Sequence, residues 1–251
     1  MRADEFSKMR ALEATHWWFQ GRRALLRSLV ERLPLWDALI LDAGCGTGYA
    51  RGELGRAGTV IGLDASPEVF AQQSGDRVMG CLGLIERAPF KETVFDLVVA
   101  LDLLEHLEDD EGALREIYRV CRPGGHLVLT APAYQWVWSR HDEALGHCRR
   151  YSAADLAKKV RSAGFTIRRL SYMVTAVFPA AAAYRLMRRR SRAGSDLFRV
   201  PEPVNALLGA LMRLESRLVW NVSLPFGLSV FLAAQKEPGG HEAVQNRERS
   251  R

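Results

Sequence analysis

The stretch Leu41-Asp42-Ala43-Gly44-Cys45-Gly46-Thr47-Gly48 constrains this chain more than any other. An apolar run, Ala38-Leu39-Ile40-Leu41, reaches a carboxylate and then three glycines at alternate positions. A strand that turns sharply into a helix with its backbone against a ligand needs residues without Cβ. The helix that follows offers free N–H groups and the positive end of its dipole. Nicotinamide and flavin enzymes use such loops too. Here their G-x-G-x-x-G pattern fails: it needs a small residue at position 49, where Tyr49 stands, and Gly48 comes one place early. Asp42 is placed to anchor loop amides or a cationic ligand. Asp64 closes the next apolar run, Thr59-Val60-Ile61-Gly62-Leu63, about twenty residues on, where an acidic side chain accepts both ribose hydroxyls. Helix capping is the alternative role for both carboxylates.

Two more apolar runs follow, at 95–101 and at 125–130, the second after the breaker Pro123-Gly124. Between them Ala113, Leu114, Ile117, Tyr118 and Cys121 mark one helix face. Continuously apolar strands separated by helices predict an α/β fold, a parallel sheet covered on both faces. A helix over 154–163 and a strand over 165–172 continue the pattern. Residues 4–33 read as two helical pieces around Trp17-Trp18-Phe19, with Leu25, Leu26, Leu29, Val30 and Leu33 at helical spacing in the second. From about 175 to 224 come an Ala-rich helix, the basic patch Arg185–Arg192, a loop with Pro201 and Pro203, and a helix carrying Leu207, Leu208, Leu211, Leu214 and Leu218. A strand over 228–234 ends the fold, and the polar tail from Lys236 is expected to be disordered. The division expected is a helical cap over 1–37, a core over 38–172 plus 225–235, a helical insertion over 173–224 and a tail over 236–251.

Composition narrows the classes. The chain has 251 residues, 48% apolar and 25% charged, enough for an ordinary core. Its net charge of +6 comes almost wholly from Arg, since Lys occurs only at 8, 91, 158, 159 and 236. No compact basic run is interleaved with stacking aromatics, so nucleic acid is not an expected partner. Cys45, Cys81, Cys121 and Cys148 form no C-x-x-C pair, which argues against a zinc knuckle and a disulfide scaffold. Met1-Arg2-Ala3-Asp4-Glu5 begins no apolar leader, and the longest apolar stretch, Met173 to Ala183, is short of the ~20 residues that span a bilayer. The expected location is the cytoplasm, with peripheral membrane contact through 173–224 as a further expectation.

The loop 42–48, Asp64, Phe95-Asp96-Leu97-Val98, Leu104-Glu105-His106-Leu107 and Arg119-Val120-Cys121-Arg122-Pro123-Gly124-Gly125 resemble, in order and spacing, the motifs of class I S-adenosylmethionine-dependent methyltransferases. The resemblance covers about residues 38–172 and is to the branch that includes ubiquinone-pathway and many small-molecule enzymes. Pro132-Ala133-Tyr134, His141-Asp142 and His147-Cys148-Arg149-Arg150-Tyr151 look like a bacterial subgroup without an assigned acceptor. It implies a Rossmann-like seven-stranded sheet, its last strand antiparallel, and S-adenosylmethionine as cofactor. Gly44, Gly46 and Gly48 would lie along the methionine part, Asp64 at the ribose and the backbone at Leu101 at the amine, with Asp42, Ala65, Ile85 and Arg22 as further cofactor-binding residues. Where relatives carry an acidic residue for the adenine amino group, this chain has Gly83-Leu84-Ile85-Glu86, and Leu84 cannot accept that hydrogen bond.

An acceptor hydroxyl or amine must lose a proton, and His is the usual base near neutral pH. Ligands in such sheets sit beyond the carboxyl ends of the strands. That places Asp102, Glu105 and His106 and the segment Tyr134–Tyr151 at the active edge. His106, His141 and His147 are the candidate bases, and packing inside the turn is the competing role for His106. His141, His147 and Asp142 make an incomplete metal set, and no metal is expected. Arg150 and Tyr151, like Arg22 near the tryptophans, suit an anionic acceptor or the cofactor carboxylate, or else ion pairs that hold the fold. Tyr134, Trp136 and Trp138 suit an apolar acceptor pocket, with core packing as the alternative. The insertion at 173–224 interrupts the last hairpin at the ligand edge and is expected to cover the site as a lid.

Three functions remain open on these residues. The first is a methyltransferase for an oxygen or nitrogen of a small-molecule or lipid-linked acceptor. The second is a nucleic-acid or protein methyltransferase, and the third a non-catalytic S-adenosylmethionine-binding partner protein.

Overall fold

The computed structural model describes residues 9–71, 79–187 and 200–238. The long apolar runs become strands because their side chains are buried on both faces: Ile40, Leu41 and Ala43 are 0% exposed, as are Phe95 and Leu97 to Ala100. The strands are β1 (Ala38–Ala43), β2 (Gly58–Asp64), β3 (Gly80–Leu82), β4 (Phe95–Leu101), β5 (Cys121–Pro132), β6 (Thr166–Met173) and β7 (Ser229–Gln235). They form one sheet in the order β3-β2-β1-β4-β5-β7-β6. The first five are parallel, and β7 runs antiparallel between β5 and β6. The fold is thus the α/β, seven-stranded, mostly parallel architecture expected. The order reverses between β1 and β4, joined through Ile40–Leu97 and Leu41–Val98, so a crevice opens beyond their carboxyl ends.

The helices are α1 (Trp17–Arg32), α2 (Arg51–Leu54), α3 (Pro67–Ala71), α4 (Asp110–Val120), α5 (Arg140–Leu145), α6 (Ala153–Ser162), α7 (Phe178–Met187) and α8 (Glu202–Leu218). One face of the sheet is covered by Ala113, Leu114, Ile117 and Val120 of α4 and by Leu156, Ala157 and Val160 of α6. The other is covered by Leu25, Leu26 and Leu29 of α1 with Met212 of α8. Asp109 starts α4 by accepting the Gly112 amide at 2.7 Å. Asp109→Ala is expected to cost about 1 kcal/mol, the usual value of such a cap, read as a lower denaturation midpoint with unchanged slope.

Three local expectations are corrected. Pro123-Gly124 does not precede β5 but lies inside it as a bulge, where the register slips between Phe95–Cys121 and Leu97–His126 and Gly124 takes φ +76°. Cys121 therefore belongs to that strand and not to the helix face of α4. Lys236 is not the start of a loose tail: its amide and carbonyl pair with Gly125 and Gly124 at 2.9 and 2.8 Å, and its ammonium donates to the carbonyls of Tyr118 and Cys121. The remainder of the expected tail, 239–251, and the arginines at 188–190 and 192 lie outside the described residues.

The segment 173–224 leaves β6 and returns to β7. Its helix α8 packs along α1, where Asn205 accepts the Trp17 amide and donates to the Thr15 carbonyl, both at 2.8 Å. Ser28 of α1 donates to the Ser216 carbonyl at 3.0 Å. No described helix is long and apolar enough to cross a membrane.

Candidate active site

The glycine loop turns away from β1 through left-handed backbone at Gly44, Gly46 and Gly48, with φ of +69°, +50° and +78°. At Gly44 a Cβ would also stand 2.8 Å from a Leu103 methyl. The loop is clamped by Asp64, whose two carboxylate oxygens accept the amides of Gly46 and Ser66, each at 2.9 Å. Asp42, expected to anchor loop amides, is buried behind the loop and does not line the cavity. Burial pushes its carboxyl up to about 7, the nearby Asp64 adds to this, and Arg51 opposes it. From the amino-terminal side Glu13 reaches over the loop and accepts the hydroxyl of Thr47.

This loop borders a cavity of ~1110 Å³, roomier than the ~300–1,000 Å³ of most small-molecule sites. Of the residues expected at a cofactor, Gly44, Gly46, Asp64, Ala65, Ile85 and Leu101 line it, as does Leu84. Gly48 and Arg22 do not. Arg22 is 1% exposed, and its guanidinium is taken by an ion pair with Asp102 and a hydrogen bond to Thr130 Oγ1. It also lies 4.9 Å from the centre of the Trp18 ring. Arg22 thus holds Asp102, which does face the cavity, instead of contacting a ligand itself.

The far end of the cavity collects the three histidines, His106, His141 and His147. The rings of His106 and His147 are 4.8 Å apart, edge to face, and those of His141 and His147 are 6.4 Å apart. Asp142 organises this end. It accepts from Ser139 N at 2.9 Å and from Arg150 Nε at 2.8 Å, and it meets His147 Nδ1 at 2.9 Å. Burial alone would raise the Asp142 carboxyl, but the bonds to His147 and Arg150 outweigh it and hold it well below the usual carboxylate range. Burial drives His106 down to about 4, with His147 adding to the effect. Burial and the charge of Arg185 take His141 well below its ordinary value. Both rings therefore present neutral imidazoles near pH 7.

The acceptor-side expectations fare unevenly. Arg150 lines the cavity while it pairs with Asp142 and donates to the Ala133 carbonyl at 3.0 Å. Tyr151 is buried in the core, its hydroxyl on the Leu104 carbonyl and Asp110, and does not reach the cavity. Tyr134 stacks on Tyr172 at 5.0 Å, Trp136 is 49% exposed, and neither they nor Trp138 line the cavity. Tyr134 and Trp136 pack instead against Phe178, at 5.5 and 6.0 Å between ring centres. The apolar wall comes instead from Trp17, Trp18, Val177, Ala181, Tyr184 and Leu208. The Ala-rich spacing of α7 signalled a packed helix but gave no indication of what it faces.

Glu105 was placed at the active edge on the sequence but given no role there. It is 0% exposed, borders the cavity, and burial pushes its carboxyl up to about 8. Its position next to His106 in Leu104-Glu105-His106-Leu107 was the available signal.

A crevice at the switch point, a glycine loop clamped by the carboxylate that ends β2, and a seven-stranded sheet with β7 reversed make the fold of class I S-adenosylmethionine-dependent methyltransferases. Residues 41–129 match the methyltransferase domain family, which implies S-adenosylmethionine as the methyl donor. A probable S-adenosylmethionine-dependent methyltransferase of Mycolicibacterium smegmatis is 30% identical over 161 residues, 62% of each chain. A demethylmenaquinone methyltransferase of Lactiplantibacillus plantarum is 38% identical over 126 residues, 41% of this chain and 53% of that one. The chain thus spans between half and two thirds of these curated relatives. Among solved structures, the methyltransferase complexed with the Trm112 activator of Haloferax volcanii superposes with a TM-score of 0.62, covering 95% of this chain and 96% of that one. At 18% identity that likeness speaks for the fold alone.

Proposed function

We propose that this chain transfers the methyl group of S-adenosylmethionine to an oxygen or nitrogen of a small-molecule or lipid-linked acceptor. The observation that carries the reading is the continuity of one cavity from Asp64 and the glycine loop to the three histidines. Methyl transfer is an in-line displacement, so holding acceptor and donor in one enclosed space supplies much of the rate. Gly44, Gly46, Asp64 and Leu101 would hold S-adenosylmethionine, which would supply the methyl group to the acceptor atom and leave as the neutral thioether. The acceptor's proton would pass to an imidazole of the histidine end, where His106 and His141 are neutral near pH 7. The segment 173–224 serves as the cover, through Val177, Ala181 and Tyr184 at α7 and Leu208 of α8.

An apolar acceptor is favoured by that wall and by the exposed Leu186, Met187, Val204 and Leu207 at the outer ends of α7 and α8. These side chains suit a peripheral contact with a lipid surface. The Lactiplantibacillus plantarum relative acts, by its name, on demethylmenaquinone. Salt-sensitive co-sedimentation with anionic vesicles is the expected outcome, and no sedimentation at low salt removes the membrane contact from the account.

The test of transfer uses S-adenosylmethionine labelled on its methyl group and an extract of the source cells. Label is expected in small molecules or in the organic phase, undiminished by nuclease or protease treatment of the extract. Asp64→Ala, which removes the loop clamp and a cavity carboxylate, is expected to lower transfer at least ~100-fold, about 3 kcal/mol of binding and alignment. Label in nuclease-sensitive or protease-sensitive material would contradict the reading.

A further inference from the structure

We infer that Glu105, His106 and His147 form a binding site for a divalent transition-metal ion on the wall of the cavity. A carboxylate oxygen of Glu105 and one ring nitrogen from each histidine lie within 4.8 Å of one another. Glu105 is wholly buried, and neither of its carboxylate oxygens has a hydrogen-bond partner among the described residues. A buried carboxyl whose oxygens have no hydrogen-bond partner is costly to ionise unless a cation takes the place of its proton. The two nearest guanidiniums have carboxylates of their own: Arg22 is paired with Asp102, and Arg150 with Asp142. Glu105 lies in the field of both guanidiniums but forms an ion pair with neither.

Both imidazoles are set from behind. His147 Nδ1 is 2.9 Å from Asp142 Oδ1, and His106 Nδ1 is 3.3 Å from the Gly146 carbonyl. Metal-ligating histidines show this pattern, one ring nitrogen held by a carboxylate or carbonyl and the other turned to the ion. The Nε2 atoms are the ones left to ligate. Asp142 itself is not a ligand, because Ser139, His147 and Arg150 take both its oxygens. This separates the set from the incomplete one of His141, His147 and Asp142, in which the carboxylate belongs to the supporting layer.

Two imidazoles and one carboxylate, with the remaining positions open to the cavity, suit zinc, iron or manganese better than magnesium or calcium, which prefer all-oxygen sets. Bonds of ~2.1 Å bring ligand atoms to about 3–3.5 Å of each other, so the three side chains close in slightly on the ion. Its use in the reaction rests on the methyl-transfer reading: an open position facing the cavity favours an acceptor oxygen, a hydroxyl or enol, over an amine. His141, outside the set, stays the imidazole for the acceptor's proton.

The test titrates cobalt(II), and separately zinc(II), into the full chain after chelator treatment, by visible absorption and calorimetry. One ion per chain is expected, with ligand-field bands distinct from those of aqueous cobalt. His147→Ala and Glu105→Gln are each expected to weaken binding at least tenfold, while His126→Ala, away from the cavity, leaves it unchanged. A cooperative unfolding transition like that of the wild type shows that each variant is folded. No metal uptake by folded wild-type protein overturns the site, and so does stoichiometric uptake that survives both His147→Ala and Glu105→Gln. Metal uptake lost in those variants upholds it even where the wild type takes up no S-adenosylhomocysteine, a result that would remove methyl transfer and leave the metal site standing.

Discussion

Asp102→Asn is expected to destabilise the fold by about 3–5 kcal/mol, and Arg22→Met by somewhat less. The asymmetry follows from exposure. Arg22 is 1% exposed and loses its counter-charge in the first variant, whereas the Asp102 side chain is 31% exposed and is hydrated in the second. Thr130 Oγ1 links the pair, accepting from Arg22 and donating to Asp102 at 3.1 Å. Asn tolerates the left-handed backbone of position 102, φ +51°, so the first loss reports on charge and not on backbone strain. For a chain of this size the drop corresponds to roughly 10 °C in melting temperature. The double variant is expected to lose less than the sum of the two, because neither charge is then left alone. Additive losses in chemical denaturation would show that the pair is not coupled.

Asp42→Asn is expected to stabilise the protein increasingly as pH rises. In the unfolded chain this carboxyl ionises near pH 4, but in the fold burial holds its proton up to about pH 7. A carboxyl with a raised folded value contributes fully at pH below the unfolded value. Its contribution is lost as pH climbs through the folded one. Asn does not titrate and escapes this loss. The variant should match the wild type near pH 4 and exceed it above pH 7 by up to ~4 kcal/mol, three units at about 1.4 kcal/mol each. Denaturation midpoints at pH 4, 6 and 8 check this, and a constant difference would contradict it.

What was legible in the sequence was local. The glycine loop, Asp64 and the apolar strands announced themselves because a turn without Cβ and a strand buried on both faces each demand particular residues in succession. The strand β3 carried no such mark: three residues, Gly80-Cys81-Leu82, with Leu82 55% exposed, give too short a run. The roles of Arg22 and Tyr151 were ambiguous for a different reason. Their partners, Thr130 and Leu104, lie 108 and 47 residues away, and only the fold decides whether a cationic or phenolic side chain meets a ligand or a buried neighbour. Tyr134, Trp136 and Trp138 were misplaced because aromatic character says that a ring packs but not on which side of a loop. Glu105 and His147 stand 42 positions apart, so their convergence was invisible until α5 and its capping box brought Asp142 and His147 over the end of β4.

Calorimetric titration of the folded protein with S-adenosylhomocysteine tests the central claim most directly. The cavity between the glycine loop, Asp64 and Leu101 predicts one nucleoside per chain, bound in the wild type and at least ~100-fold weaker in Asp64→Ala. Heat indistinguishable from dilution with the wild type, or equal binding by both proteins, would contradict it.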